Sequence, residues 1–168
     1  MMRRAAVCLL AWMAAACGGG GGGGFPVSAA HPLLGHAIPE VKARQLLDGN
    51  ALVATALQGK PVVIKFFADY CEPCKRTLPA TESLHRKYPD VFFLGVSEDE
   101  SRQLAQKVVN TFSLSFPVIH DGSNVYSGRF RVTEMPTTFV IDRTGVVRWI
   151  GGAGQTDEDL AQAVEAVR

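Results

Sequence analysis

The apolar positions of this 168-residue chain fall into two kinds of block. Pro61-Val62-Val63-Ile64-Lys65-Phe66-Phe67-Ala68 and Val91 to Val96 are short, nearly continuous apolar runs, the pattern of strands buried on both faces. Ser101 to Phe112 instead sets Leu104, Val108 and Phe112 at helical spacing. Asp157 to Val167 is amphipathic, with acidic residues at the end where they complement a helix dipole. Between these blocks, Phe116 to Ile119 reads as a short strand and Asn124 to Phe130 as a short helix. Thr137 to Asp142 and Val146 to Ile150 form a hairpin around Arg143-Thr144-Gly145. Upstream, Glu40 to Leu47 and Ala51 to Ala56 flank Asp48-Gly49-Asn50 as an N-terminal hairpin, and Gly59-Lys60-Pro61 opens the first central strand. Alternating β and α segments predict an α/β fold with a central mixed sheet flanked by helices.

The chemistry begins where the first apolar run ends, at Cys71-Glu72-Pro73-Cys74. A helix is expected from there to about Lys87, with Leu78, Leu84 and Tyr88 among its apolar positions and a kink at Pro79. Two cysteines delivered by a strand onto a helix N-terminus suit reversible thiol–disulfide exchange. Cys71 meets the positive end of the helix dipole and its free N–H groups, with Lys75 and Arg76 close behind, while Cys74 lies one turn in. Pro73 fits the first turn, where a missing N–H costs nothing. A zinc site would need a second pair of ligands. Only Cys8 and Cys17 are left, both near the N-terminus, and His31, His36, His85 and His120 show no paired spacing.

The run Phe66-Phe67-Ala68-Asp69-Tyr70-Cys71-Glu72-Pro73-Cys74-Lys75 resembles the active-site strand and helix of the thioredoxin superfamily, with Tyr70 where Trp is usual. Phe116-Pro117-Val118-Ile119-His120-Asp121 and the stretch from Met135-Pro136-Thr137 to Gly145 resemble the TlpA/ResA-like branch of extracytoplasmic thiol–disulfide oxidoreductases. The three motifs occur in order over residues 34–168. The resemblance implies a thioredoxin-like sheet with an N-terminal hairpin and a central αβ insertion. It implies Cys71 as nucleophile and Cys74 as resolving thiol, and a cis bond before Pro136 that opens the Met135 backbone to an extended client. Tyr70, Glu72 and Pro73 would line the client's path. Glu72 places a negative charge beside Cys71, which opposes the thiolate slightly and favours a reductase.

Two departures from the family pattern concern proton transfer. Thioredoxins usually carry a buried Asp six residues before the first cysteine, where this chain has Lys65, and the Glu of ResA-like proteins aligns with Thr77. Lys65 shares a strand face with Val63 and Phe67 and should lie under the active-site helix. Its amine is expected to be neutral and able to relay a proton for Cys74, or to pair with Glu98 or Asp99, or to reach solvent along its stem.

Composition adds an address. With 47% apolar and 20% charged residues the chain suits one soluble domain, and its net charge of +1 gives no electrostatic case for nucleic acid. Met1-Met2-Arg3-Arg4 followed by an apolar run to Ala16 reads as a bacterial secretory signal over 1–16. Ala14-Ala15-Ala16-Cys17 resembles a lipobox lacking its usual Leu, and Gly18 to Gly24 is a flexible tether. The division is therefore a signal peptide at 1–16, a lipid-anchored Gly-rich linker at 17–33 with Cys17 acylated, and the domain at 34–168. The expected location is the bacterial cell envelope outside the cytoplasm, where disulfides are made and corrected.

The expected partners are exported protein disulfides, a membrane electron donor and the membrane itself through the lipid; the protein is expected to be a monomer without cofactor or metal. His31 and His36 read as solvated loop residues, His85 as part of a solvated helix face, and His120 as a turn residue. Two alternatives stand beside the oxidoreductase. One is a copper-delivery module, since an exported dithiol near a histidine binds Cu(I), although the CxxxC spacing of such relatives is absent. The other is a peroxiredoxin-like peroxidase, whose Thr three residues before the reactive cysteine is replaced by Ala68.

Overall fold

The computed structural model describes residues 24–52, 57 and 59–168; the signal peptide, Cys17 and the far end of the expected hairpin at 53–56 lie outside the described residues. The elements in chain order are β1 (Ala43–Arg44), β2 (Ala51–Leu52), β3 (Val62–Phe67), α1 (Glu72–Lys87), β4 (Phe92–Ser97), α2 (Arg102–Thr111), β5 (Val118–His120), α3 (Val125–Phe130), β6 (Thr137–Ile141), β7 (Val147–Gly151) and α4 (Asp157–Val167). β1 and β2 pair antiparallel as the small N-terminal hairpin. The main sheet has the order β5-β4-β3-β6-β7, with β3, β4 and β5 parallel and β6 and β7 antiparallel. It is the mixed α/β sheet that the alternation predicts, and α2 and β5 form an αβ segment between β4 and α3, where the central insertion is expected.

β3 is the middle strand, and all six of its residues are buried, as its unbroken apolar pattern requires. Its two faces feed two cores. Val63 and Phe67 join Leu78, Ala105, Val108, Trp149, Leu160 and Val164 beneath α1, α2 and α4. Val62, Ile64 and Phe66 join Val41, Phe130, Phe139 and Val147 beneath α3 and the N-terminal segment. Gly95, the register partner of Lys65, is required by close packing, since a Cβ there would come within 2.9 Å of the Phe67 ring.

Three expectations about side chains are corrected. Leu104 is exposed, and the buried stripe of α2 is Ala105, Val108 and Val109, one step round the helix. His85 is half-buried and sets its ring edge-on to Phe93 and Phe116 at 5.5 and 5.8 Å. Its neighbour Glu82 is buried, accepting from the Ser115 N–H at 2.8 Å and the Ser115 hydroxyl at 2.6 Å. His31 is likewise half-buried, with its ring edge-on to Phe139 at 5.1 Å. The chain joins the sheet before residue 34, because the Trp149 indole N–H donates to Val27 O at 3.1 Å and the Ala29 N–H to Ile150 O at 2.7 Å.

Candidate active site

The end of β3 delivers Cys71 to the N-cap of α1 in an extended conformation, and Pro73 occupies the first turn. Cys71 and Cys74 are joined as a disulfide with their Cα atoms 5.2 Å apart. The Cys71 sulfur accepts a hydrogen bond from the Cys74 N–H at 3.1 Å. An N-cap side chain normally supplies this service through Ser, Thr, Asp or Asn. Here a sulfur takes the place, so the donor that caps the helix also faces the reactive atom. Cys71 shows only 6% of its surface and Cys74 none, so even the cysteine at the N-cap is almost entirely covered in the disulfide form.

A cleft of about 520 Å³ opens beside Cys71, lined among others by Tyr70, Glu72, Pro73, Glu98, Glu134 and Met135. Tyr70 is exposed. Its phenol is pushed up by partial burial and by the negative charges of Glu98, Asp99 and Glu100. Glu72 is exposed and paired with Lys75 at 2.8 Å, so its charge beside Cys71 is partly balanced. The Met135-Pro136 bond is cis; Pro136 is buried, and Met135 reaches both the cleft and the core beneath the dithiol.

The loop before Cys71 is held from the neighbouring strand. Asp99 is buried, accepts from the Asp69 N–H and the Ser97 hydroxyl, both at 2.8 Å, and so fixes the approach to the dithiol. Lys107 of α2 closes on Asp69 at 3.1 Å. Sequence reasoning named Asp99 only as a partner for Lys65 and missed this role. The available signal was topological, because the end of β4 lies at the same sheet edge as the end of β3 when the two are parallel.

Lys65 lies fully buried on the α1 face of β3, and its Nζ donates to the Thr138 hydroxyl of β6 at 3.2 Å. Neither the ion pair with Glu98 or Asp99 nor the escape to solvent occurs. Glu98 is instead in the cleft, and Asp99 is spent on Asp69 and Ser97. Burial depresses the Lys65 amine from 10.5 to about 7, opposed by the charge of Asp157 at the start of α4. Thr77, the other departure, donates its hydroxyl to the carbonyls of Pro73 and Cys74 within its own helix, at 3.3 and 3.2 Å.

The alternatives find little in this geometry. The His120 ring nitrogen Nε2 is 2.7 Å from the Asp99 carbonyl, and among the described residues no group of three or more His, Cys, Asp or Glu side chains gathers to hold a metal. Ala68 is buried and has no hydroxyl to offer a peroxide.

A central mixed sheet carrying a strand-to-helix disulfide beside a cis-proline defines a thioredoxin-like thiol–disulfide oxidoreductase. The chain belongs to the AhpC/TSA family, which it matches over residues 34–150. It is 32% identical over 124 residues to the thiol-disulfide oxidoreductase ResA of Geobacillus thermodenitrificans, covering 73% of this chain and 71% of that one. The ResA of Bacillus anthracis is 34% identical over 117 residues, covering 68% and 67%. Among solved structures, MTB DsbF in its mixed oxidized and reduced forms superposes with a TM-score of 0.72 at 26% identity, covering 78% of this chain and 99% of that one. A secreted disulfide oxidoreductase of Mycobacterium tuberculosis shares the fold at a TM-score of 0.70 and 24% identity, covering 76% and 96%. No helix among the described residues is long and apolar enough to cross a membrane.

Proposed function

We propose that this protein is an envelope-facing, lipid-anchored reductase of particular exported protein disulfides. The observation that carries the reading is the Cys71 sulfur at the helix N-cap, bonded to the Cys74 N–H and opening on a cleft that Met135 shares. In the reduced protein Cys71 attacks a client disulfide as thiolate, and Cys74 then displaces the client from the mixed disulfide, leaving Cys71–Cys74 oxidised. The cis Pro136 turns the Met135 backbone to an extended client strand, while Tyr70, Glu72 and Pro73 form the other wall. Lys65, whose amine is depressed to about 7, takes the Cys74 proton in its neutral form. The exposed Glu72 carboxylate next to Cys71 supports the reducing direction. The signal-like segment at 1–16, Cys17 and the glycine run support secretion, acylation of Cys17 and a tether, with electrons arriving from a membrane donor and the domain acting as a monomer.

One experiment with two arms tests this. The Cys74→Ala variant, expressed with its full N-terminus, should accumulate mixed disulfides through Cys71 in the membrane fraction. Adding Cys17→Ser should move the same complexes to the soluble fraction. Absence of any mixed disulfide overturns the reductase, and membrane retention of the Ser variant overturns the anchor.

A further inference from the structure

Glu98 is the first residue after β4, and its N–H donates to Phe67 O at 2.9 Å, which fixes it beside the end of β3. Its side chain lines the cleft of Cys71. Its Oε1 is buried without a hydrogen-bond partner among the described residues. A buried carboxyl oxygen with nothing to accept from is costly, and the cost falls when the group holds a proton. The surroundings push the same way. Tyr70, Glu72 and Glu134 share the cleft, the charge of Asp121 acts on Glu98, and the cation nearest Cys71 in sequence, Lys75, is bound to Glu72. Burial first, and then the Asp121 charge, hold the Glu98 carboxyl above the usual carboxylate range.

We propose that Glu98 is the general acid of the exchange at Cys71, protonating the client sulfur that leaves. The inference rests on the oxidoreductase reading and adds a proton donor to it. In the first step the Cys71 thiolate attacks one client sulfur, the client S–S bond breaks, and the Cys71–client bond forms. The electron pair of the broken bond goes to the second client sulfur, which takes the Glu98 proton and leaves as a thiol. In the second step the Cys74 sulfur attacks Cys71 and gives up its proton to Lys65; the mixed disulfide breaks, and the first client sulfur departs as thiolate to be protonated by solvent. The client disulfide is reduced by two electrons, the cysteine pair is oxidised, and Glu98 is reprotonated from solvent before the next turn. Of the three carboxyls that line the cleft, Glu72, Glu98 and Glu134, Glu98 has the buried, unpartnered oxygen, and it is delivered by the end of the neighbouring strand.

The test uses two small disulfides whose leaving groups differ. Oxidised glutathione releases a basic alkyl thiolate that benefits from a proton, whereas an aryl disulfide such as dithiobis(nitrobenzoate) releases a thiolate stable without one. In single-turnover reactions of the reduced protein, Glu98→Gln should slow glutathione disulfide about 10²-fold, the lower range for a general acid, and leave the aryl disulfide little changed. The deficit should shrink as pH rises, because wild-type Glu98 then ionises and loses its own proton. Equal slowing of both substrates assigns Glu98 a structural role, acceleration of both assigns it only a repulsive charge, and no change on either removes it from the reaction; each overturns the proposal. A wild type that reduces neither disulfide overturns the oxidoreductase reading beneath it, a failure recognisable without the variant.

Discussion

The two faces of β3 are built from alternate residues of one six-residue strand, yet they are put to different uses. Toward α3, Val62, Ile64 and Phe66 join an apolar cluster, and the rings of Phe66, Phe130 and Phe139 stand 5.4 to 5.9 Å apart in tilted and edge-on contacts. Toward α1 and α4, Val63 and Phe67 flank a fully buried lysine whose hydrogen bond is to one hydroxyl. The first face is closed packing of the kind that stabilises a domain without directing chemistry. The second accepts a buried amine on the face where the two cysteines also join the core. A local rule broken under a reactive site, with the rule kept on the opposite face, marks which side of the sheet works.

The largest effect should come from breaking the closed face. Phe66→Ala removes a ring with no exposed surface and should cost about 3–5 kcal/mol of stability. Disulfide exchange measured well below the melting transition should stay near the wild-type rate, because Phe66 belongs to the core that excludes both cysteines and does not line their cleft. A loss of exchange rate in the folded variant would show that the two faces are not separable.

The working face should respond in the opposite direction and with pH. The Lys65 amine is depressed from 10.5 to about 7 by burial. Below about pH 7 both folded and unfolded chains carry the proton, and the folded chain bears the full cost of a buried ammonium. Between about 7 and 10.5 the unfolded chain holds more protons than the folded one, so stability rises with pH, and above 10.5 both amines are neutral and the profile is flat. The span is on the order of 5 kcal/mol, of which a hydrophobic replacement recovers only part, since the Thr138 hydroxyl loses its donor. Lys65→Met should stabilise by about 1–4 kcal/mol near pH 6 and by much less near pH 10. Urea unfolding of both proteins at the two pH values measures this, and parallel profiles would show that the amine is not desolvated.

The difference between the faces was partly legible in the chain. The apolar runs located β3 and β4, and the cysteine pair after the first run located α1 and the site, because both signals are local. The side of Lys65 also followed from counting along the strand. What became of its amine did not, because that depends on Thr138, 73 residues away, and on Asp157 at the start of α4. Leu104 was misplaced for a related reason. Helical spacing fits several stripes of α2, and the packing of Ala105 and Val109 against the core chose among them. Glu98 and Asp99 were visible as a pair of carboxylates at a strand end. Their division of labour, one lining the cleft and one bonded to the Asp69 N–H, was set by a loop geometry that no spacing encodes.

The smallest effect tests whether the working face reaches the sulfur at all. In the reduced protein a protonated Lys65 beneath α1 favours negative charge on the sulfurs above it, and by reciprocity a thiolate favours the proton on Lys65, so the two groups titrate together. Lys65→Gln keeps a polar partner for Thr138 but removes the charge. The Cys71 thiolate should then form about one pKa unit higher, equivalent to about 1.4 kcal/mol of lost interaction. The titration should also sharpen, because one of the groups coupled to Cys71 is gone and only Cys74 remains. Thiolate absorbance against pH in the two reduced proteins reads both features. A shift without sharpening would mean that Lys65 stays charged throughout and acts as a fixed cation. An unchanged curve would confine the lysine to a structural role, and would leave the difference between the two faces of β3 a matter of packing alone.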